Sequence, residues 1–429
     1  MKNILHVEVL LQADKAIEIP ELEKAIRLEL KNIEPIVAES MHTTFVTEGL
    51  SDFVKCIQIC EIENLHDIEN VENVEQMAIE AGVESLDLDS YLIKIYFYKL
   101  EDSGLVDDTS TDESACKMRR CILPNVDFCG IWESLVFQEP VKEILLQYAQ
   151  TGMNFACHNV NPNIISYNRL ILLHGPPGTG KTSICKALAQ KLSIRLGKQY
   201  NFFEFIEINS HNLLSKYFSE SGSLVMSMFQ QIKNVLEFGD SLVFILIDEV
   251  ESLTRARDAV LSGTEPSDSI RVVNAVLTQL DNLRKYPNVI FLTTSNVTEA
   301  IDTAFTDRAD IKMLINPPQE MAIYTILKAA IEELIKVKLI INAEEHDKFD
   351  RLPNVNAELK EVLNTTQKLH LISKECVGLS GRVLKKITFI AHSIYIRHPQ
   401  CDGVHQFLVA LHKAVKYQKT QDAGLTKMK

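Results

Sequence analysis

Residues 4–11 (ILHVEVLL) alternate in the period of two that predicts a half-buried strand. Over 20–33 (PELEKAIRLELKNI) the apolar spacing lengthens to that of a helix, with a proline in the first turn, where its missing N–H costs nothing. Residues 44–62 and 91–100 (YLIKIYFYKL) read again as strands, so 1–100 is expected to form a small α+β domain. From Cys121 onward short apolar runs alternate with longer amphipathic stretches, the pattern of a parallel sheet covered by helices. That alternation stops at Pro317 and Pro318. Four helical patterns follow: MAIYTILKAAIEELI, 354–371, RVLKKITFIAHSIYI and GVHQFLVALHKAVKY. The division is therefore an N-terminal α+β domain (1–100), an α/β domain (121–316) and a helical domain (317–429), with no internal repeat.

Residues 101–114 (EDSGLVDDTSTDES) mix acid, Ser/Thr and Gly with almost no apolar content, and a flexible acidic linker is expected over 101–120. Dividing the chain changes the meaning of its charge. The 429 residues carry a formal −14, but residues 1–114 hold eight Lys/Arg against 26 Asp/Glu, a net −18, which leaves +4 for the rest. Ten of the acids, and no Lys or Arg, lie in 61–90. That stretch is either a solvated acidic face or a docking surface for a basic partner. The negative field argues against direct nucleic-acid binding and against anionic membranes, and no run of about 18 apolar residues offers a membrane span. The start, MKNILHVEVLLQAD, carries His6, Glu8 and Asp14 without a small-residue cleavage site, so no signal peptide is expected. Nine irregularly spaced cysteines do not make a disulfide framework, and Cys56 and Cys60 lack a second pair for zinc. A reducing compartment, cytosol or nucleus, is expected.

The chemistry concentrates in the α/β domain. Residues 175–182 (GPPGTGKT) follow the apolar strand RLILLH and open the helix TSICKALAQKL. Gly175, Pro176, Pro177, Gly178, Thr179 and Gly180 form a loop whose N–H groups can turn toward phosphate oxygens. Lys181 would reach the β/γ-phosphates, and Thr182, followed by Ser183, offers a hydroxyl to Mg²⁺. Sixty-six residues after Thr182, LVFILIDE ends a buried-type strand in two acids. Asp248 is the candidate Mg²⁺ holder and Glu249 the candidate base for water. A passive nucleotide binder has no need of the second acid, so ATP hydrolysis is expected. Asn296 ends a third strand, NVIFLTTSN, either as a cap or as an amide between attacking water and γ-phosphate. Arg308 follows a helical turn in IDTAFTDRAD, and Arg382 stands near a helix start in GLSGR. Trp132, the single tryptophan, packs either near the adenine or in the core.

GPPGTGKT, FILIDE, RVVNAVLTQLD, TTSN and GLSGR, in this order, resemble the AAA+ ATPases, specifically the AAA clade with its helical lid. NSHNLLSKYFSESG, GTEPSDSIRVVNAVLTQLD and DRADI narrow the resemblance to the branch that remodels HORMA-domain proteins. The fold implied is a P-loop AAA+ parallel sheet with a C-terminal helical lid, preceded by the small α+β domain. The resemblance implies that ATP and Mg²⁺ bind at Lys181, Thr182 and Asp248, that Asn296 senses the γ-phosphate, and that Arg382 contacts nucleotide from the lid. It further implies that Arg308 is a finger reaching the neighbouring subunit's nucleotide, in a homo-hexameric ring. DRAD replaces the RPGRFD of many relatives, so Arg308 departs from the common pattern. Lys216, Tyr217 and Phe218 match a central-pore segment that grips a substrate chain, although adjacent aromatics also suit a core, and a second pore loop is expected within 257–268. Partners implied are HORMA-domain proteins, both the spindle-checkpoint effector and meiotic axis proteins, together with a HORMA-type adaptor. Nucleus and cytoplasm, with chromosomes and kinetochores, are the locations implied. The alternative is an ATP-dependent interaction scaffold without translocation; an AAA protease is disfavoured because no HExxH accompanies the ATPase.

Overall fold

The computed structural model describes residues 3–12, 18–33, 40–63, 91–107, 118–210, 221–253, 268–297, 303–341 and 364–426. Strand β1 (Asn3–Leu11), helix α1 (Ile19–Asn32), β2 (Ser40–His42), β3 (Val54–Glu63) and β4 (Tyr91–Tyr98) make the N-terminal unit. Their sheet runs β2-β3-β1-β4, with β1 antiparallel to β3 and parallel to β4. Helix α1 seats Leu22, Ile26 and Leu30, one per turn, against Leu5, Val7 and Val9 on one face of β1. The strand expected over 44–62 begins only at Val54. Gly49, at φ +78°, opens a 3₁₀ turn at Leu50–Asp52, and the Glu29 carboxylate of α1 accepts the N–H groups of Val46 (2.8 Å) and Thr47 (2.7 Å). Backbone that would have extended β3 is drawn onto the helix instead.

The second unit contains β5 (Val106–Asp107), β6 (Met118–Leu123), α2 (Ile131–Ser134), α3 (Val141–Cys157), β7 (Leu170–His174), α4 (Lys181–Arg195), β8 (Phe202–Asn209), α5 (Ser221–Glu237), β9 (Ser241–Asp248), α6 (Asp268–Leu283), β10 (Val289–Ser295), α7 (Thr303–Thr306) and β11 (Ile311–Leu314). The sheet order is β11-β7-β10-β9-β8-β6-β5. The five strands from β11 to β8 are parallel, and β6 and β5 extend the sheet antiparallel. Central β10 is buried throughout and β9 to its penultimate residue, which is why they carry the apolar runs VIFL and LVFILI. The expected linker is corrected at both ends. Glu101 exchanges backbone bonds with Pro124 (2.8 Å) and Val126 (3.0 Å), and β5 pairs with β6, so 101–107 and 118–120 belong to this sheet.

The third unit comprises α8 (Glu320–Lys336), β12 (Ile340–Ile341), α9 (Thr365–Glu375), α10 (Gly381–Ile390), β13 (Cys401–Asp402) and α11 (Val404–Thr426). Ile323, Leu327, Leu369, Leu384, Phe407 and Leu411 fill its interior. Helix α10 runs into a π-helical turn at Ala391–Ile396, and the two-residue pair β12–β13 joins an otherwise helical unit, a feature no helical period could announce. Asn364 and Gln367 close a capping box that starts α9. Residues 354–363 of the expected helix lie outside the described residues. None of the described helices is long and apolar enough to cross a membrane, and no disulfide joins the described cysteines.

The second face of β1, with His6 and Glu8, is buried against the C-terminal half of α4. Glu8 bonds Lys191 Nζ (2.9 Å) and Arg195 Nε (2.9 Å), and Glu61 bonds Arg195 Nη2 (2.8 Å). Arg195 also meets His6 Nδ1 and lies 4.7 Å from the Tyr96 ring centre. The side chains of Glu8, Lys191 and Arg195 are 2%, 4% and 1% exposed. Burial is the largest single influence on Lys191 and pushes its pKa down, but the surrounding groups, the Glu8 carboxylate foremost, together hold the ammonium above its usual value. Burial also pushes the Cys60 thiol, 3.4 Å from Lys191, up to about 12, so it stays a thiol. Trp132, partly buried, packs against the core of the second unit, with Lys142 Nζ 5.7 Å and Lys191 Nζ 5.8 Å from its ring centre.

Removing one partner of a buried pair leaves the other charge uncompensated, typically at a cost of ~3–5 kcal/mol. Glu8→Gln should therefore lower the urea midpoint strongly. Asp107→Asn, which breaks an exposed 3.8 Å pair with Arg119, should shift stability by only ~0.5 kcal/mol or less. Equal losses in urea titrations of the two variants would refute the ranking.

Candidate functional site

Parallel strands β7, β9 and β10 end side by side, and the loop after β7 rises over their tips. Gly175 (φ +140°) lies so close to β11 that a Cβ would stand 2.4 Å from the Ile315 carbonyl oxygen. Gly178 (φ +79°) would push one to 2.9 Å from Ser380 Oγ of the third unit. At these two places only glycine lets the loop pass. Lys181, the first residue of α4, is 5% exposed and donates its Nζ to the carbonyls of Gly175 (2.9 Å) and Pro176 (2.8 Å). Burial holds its pKa below the usual lysine value, against the opposing pull of Glu251 and Asp248.

Thr182 Oγ1 lies 3.0 and 3.2 Å from the two oxygens of Asp248, whose Oδ1 also accepts from Thr294 Oγ1. A hydroxyl and a carboxylate converging with no nitrogen or sulfur between them form a hard-oxygen donor set that fits Mg²⁺. Glu249 follows at φ +61°, in the left-handed region that a non-glycine residue seldom occupies. Its N–H donates to Thr294 Oγ1 (3.3 Å), its carbonyl accepts from Ser210 Oγ, and its Oε1 accepts from Asn296 Nδ2 (3.4 Å). Strain of this kind concentrates at functional positions, and here it turns the second acid into the cleft instead of continuing the strand.

The cleft has a volume of about 530 Å³, and Thr179, Lys181, Thr182, Ser183, Asp248, Glu249, Asn296 and Arg382 line it. Arg382, at the start of α10, donates its N–H to the Gly178 carbonyl (3.3 Å), so the helical unit sits directly on the phosphate loop. Besides Leu314–Gln319 and Ile326, which the sequence offered only as a domain boundary and a helix, two parts of the lining escaped the sequence reading. One is the wall from Ser134 to Glu139, visible in the sequence only as the segment after Trp132. The other is Lys385, one helical turn beyond Arg382, which bonds Ser134 Oγ (3.2 Å) and ties helical unit to wall. Arg308 is not in the cleft. It precedes β11, whose partner β7 carries the phosphate loop at its other end, roughly 13–17 Å away along the strand. Its guanidinium bonds Asp281 of α6. Lys216, Tyr217 and Phe218, and residues 257–267 of the second expected pore loop, lie outside the described residues.

The model of the ATPase family associated with various cellular activities (AAA) matches residues 171–317, and the TRIP13-like AAA+ ATPase lid C-terminal domain matches 319–419. The chain is 48% identical over 345 residues to a pachytene checkpoint protein 2 homolog of Danio rerio, covering 80% of this chain and 81% of the relative. The Homo sapiens homolog is 47% identical over 337 residues, 78% of each chain. The Rattus norvegicus homolog is 41% identical over 417 residues, 96% of this chain and 93% of that one. The solved structure of C. elegans PCH-2 superposes with a TM-score of 0.76 at 31% identity, covering 97% of this chain and 99% of the other.

Gly178→Ala tests the contact between phosphate loop and helical unit. The added methyl meets Ser380 and must adopt a positive φ, so the variant should bind a fluorescent ATP analogue on the order of tenfold more weakly while the sheet stays intact by circular dichroism. Undiminished affinity would show that the contact does not shape the cleft.

Proposed function

The chain belongs to the pachytene checkpoint protein 2, or TRIP13-like, family of AAA ATPases and is an ATP-hydrolysing enzyme; from that premise we propose that it is a homo-hexameric motor that remodels HORMA-domain proteins. The observation that carries the hydrolytic mechanism is the meeting of Lys181, Asp248, Glu249 and Asn296 at the ends of three adjacent parallel strands, with the Asn296 amide on the Glu249 carboxylate. Lys181 exchanges its two loop carbonyls for β/γ-phosphate oxygens. Thr182 and Asp248 hold Mg²⁺, which when bound neutralises charge on the phosphates. Glu249 takes a proton from the attacking water, and Asn296 orients that water against the γ-phosphate. Arg382 reports the nucleotide to the lid through the helix that already rests on Gly178. Arg308 stands too far from its own cleft to touch the same nucleotide, which favours its action on a neighbour and hence a closed ring.

In this reading the pore segment at 216–218 pulls on closed HORMA-domain clients presented by a HORMA-type adaptor. Spindle-checkpoint inactivation and meiotic axis control are the processes served, in nucleus and cytoplasm. The acidic N-terminal unit recruits the adaptor–client pair. Glu61 is already committed to Arg195, which leaves the other nine acids of 61–90 for recruitment.

Glu249→Gln should bind ATP normally, hydrolyse it ~10²–10⁴-fold more slowly in phosphate-release assays, and retain a closed HORMA client without opening it. Normal opening by this variant would sink the motor reading. Neutralising the acids of 61–90 other than Glu61 should weaken client recruitment in pull-downs, most visibly at low salt, with basal hydrolysis retained. Lost basal hydrolysis would instead assign those acids to the ring.

A further inference from the structure

At the end of the ATPase sheet remote from the cleft, Asp281 takes the side chain of Arg308 and Asn168 its carbonyl. Asp281, in the last turn of α6, takes the guanidinium in a fork: Nε to Oδ1 at 2.9 Å and Nη2 to Oδ2 at 2.8 Å. The side chains are 27% and 34% exposed, so the pair is half-buried, and Arg284 lies 3.6 Å from the same carboxylate. Two parallel charge-assisted bonds fix the plane of a guanidinium, which a single contact does not. Arg308 first, and its basic neighbours after it, hold the Asp281 carboxyl below the usual aspartate range.

The backbone is clamped independently. Asn168 Nδ2 donates to the Arg308 carbonyl (3.1 Å) and to Asp310 Oδ1 (2.9 Å). Asp310 Oδ2 accepts from the N–H groups of Asn168 (2.6 Å) and Arg169 (2.8 Å) and from Tyr148 Oη (2.6 Å). Arg169, buried at φ +55°, directs its guanidinium to the carbonyls of Arg284 (2.6 Å), Tyr286 (2.7 Å) and Val289 (3.0 Å). Thus the end of α6 that carries Asp281 and the turn that carries Arg308 are bolted to the same two residues at the start of β7. Beyond them β11 is the last strand of its sheet.

We propose that Asp281 is a positioning residue for hydrolysis. It orients the Arg308 guanidinium at the edge of one subunit for the γ-phosphate of ATP held by the next, from a backbone fixed by Asp310, Asn168 and Arg169. The inference rests on the reading of Arg308 as a group supplied in trans.

Steady-state hydrolysis by whole rings tests it. Arg308→Ala should lower kcat by roughly 10³-fold or more, the scale of an arginine finger. Asp281→Asn should lower kcat on the order of tenfold, the worth of a charge-assisted bond, with KM and nucleotide affinity unchanged because the pair lies far from its own cleft. Asp281→Asn combined with Arg308→Ala should be no slower than Arg308→Ala alone. Mixing Asp281→Asn subunits with Glu249→Gln subunits should restore turnover, because the latter bring an intact Asp281–Arg308 pair to clefts that retain Glu249. A merely destabilised Asp281→Asn subunit would gain nothing from such neighbours. An unchanged or raised kcat for Asp281→Asn overturns the proposal, as does failure of the mixture when Arg308→Ala is rescued by the same partner. If Arg308→Ala itself turns over normally, the trans reading fails and the proposal falls with it.

Discussion

One helix carries the demands of two neighbours. Over fifteen residues, about 22 Å, α4 presents Lys181 to the phosphate loop at its first residue and buries Arg195 in the N-terminal unit at its last. The ion cluster of Glu8, Glu61, Lys191 and Arg195 decides how the N-terminal unit sits. Desolvated charges tolerate no loosening, because a partial opening leaves each ion without either its partner or water. A helix interior is stiff and the cluster is dry, so the N-terminal unit and the phosphate loop share one lever.

The helical unit closes the same assembly from above. Arg382 reaches the loop through its backbone N–H, Lys385 reaches the wall through Ser134, and Gly178 lacks a side chain where Ser380 descends. Three contacts from the start of one helix and its cap, two on Gly178 of the loop and one on the wall, give the lid a defined seat that does not depend on apolar packing alone. The Lys181 ammonium is held in place by carbonyls of its own loop and by the field of Glu251 and Asp248, which offsets part of the burial that lowers its pKa.

The sequence was most legible where chemistry is local. The phosphate loop and the acid pair each lie within a few residues of a strand end, and a buried parallel strand writes an apolar run that marks its tip. Legibility failed where a long-range partner decides. Glu29 captures backbone that otherwise reads as strand, and β6 recruits 106–107 out of an apparent linker whose composition is polar because an edge strand can afford to be. The N-terminal charge looked wholly available to partners until Glu8 and Glu61 proved to be spent inside the molecule. Asp281 closes the RVVNAVLTQLD block that marks the family, yet nothing in that block announces its partner. It stands 27 residues before Arg308, on an amphipathic helix where one more acid near the end is unremarkable.

Helix α6 gives that acid its context. It starts at Asp268, directly after the segment in which a second pore loop is expected, and its last turn grips Arg308. Val272, Val273, Val276, Leu277, Leu280 and Leu283 bury one face of it in the sheet core, and Arg169 holds the backbone just past its end, so the helix fixes Asp281 relative to the sheet. On the proposed reading, that fixed seat is what lets one carboxylate hold the arginine at a set angle toward a neighbour's γ-phosphate: the sheet core fixes the helix, the helix fixes Asp281, and Asp281 fixes the guanidinium plane.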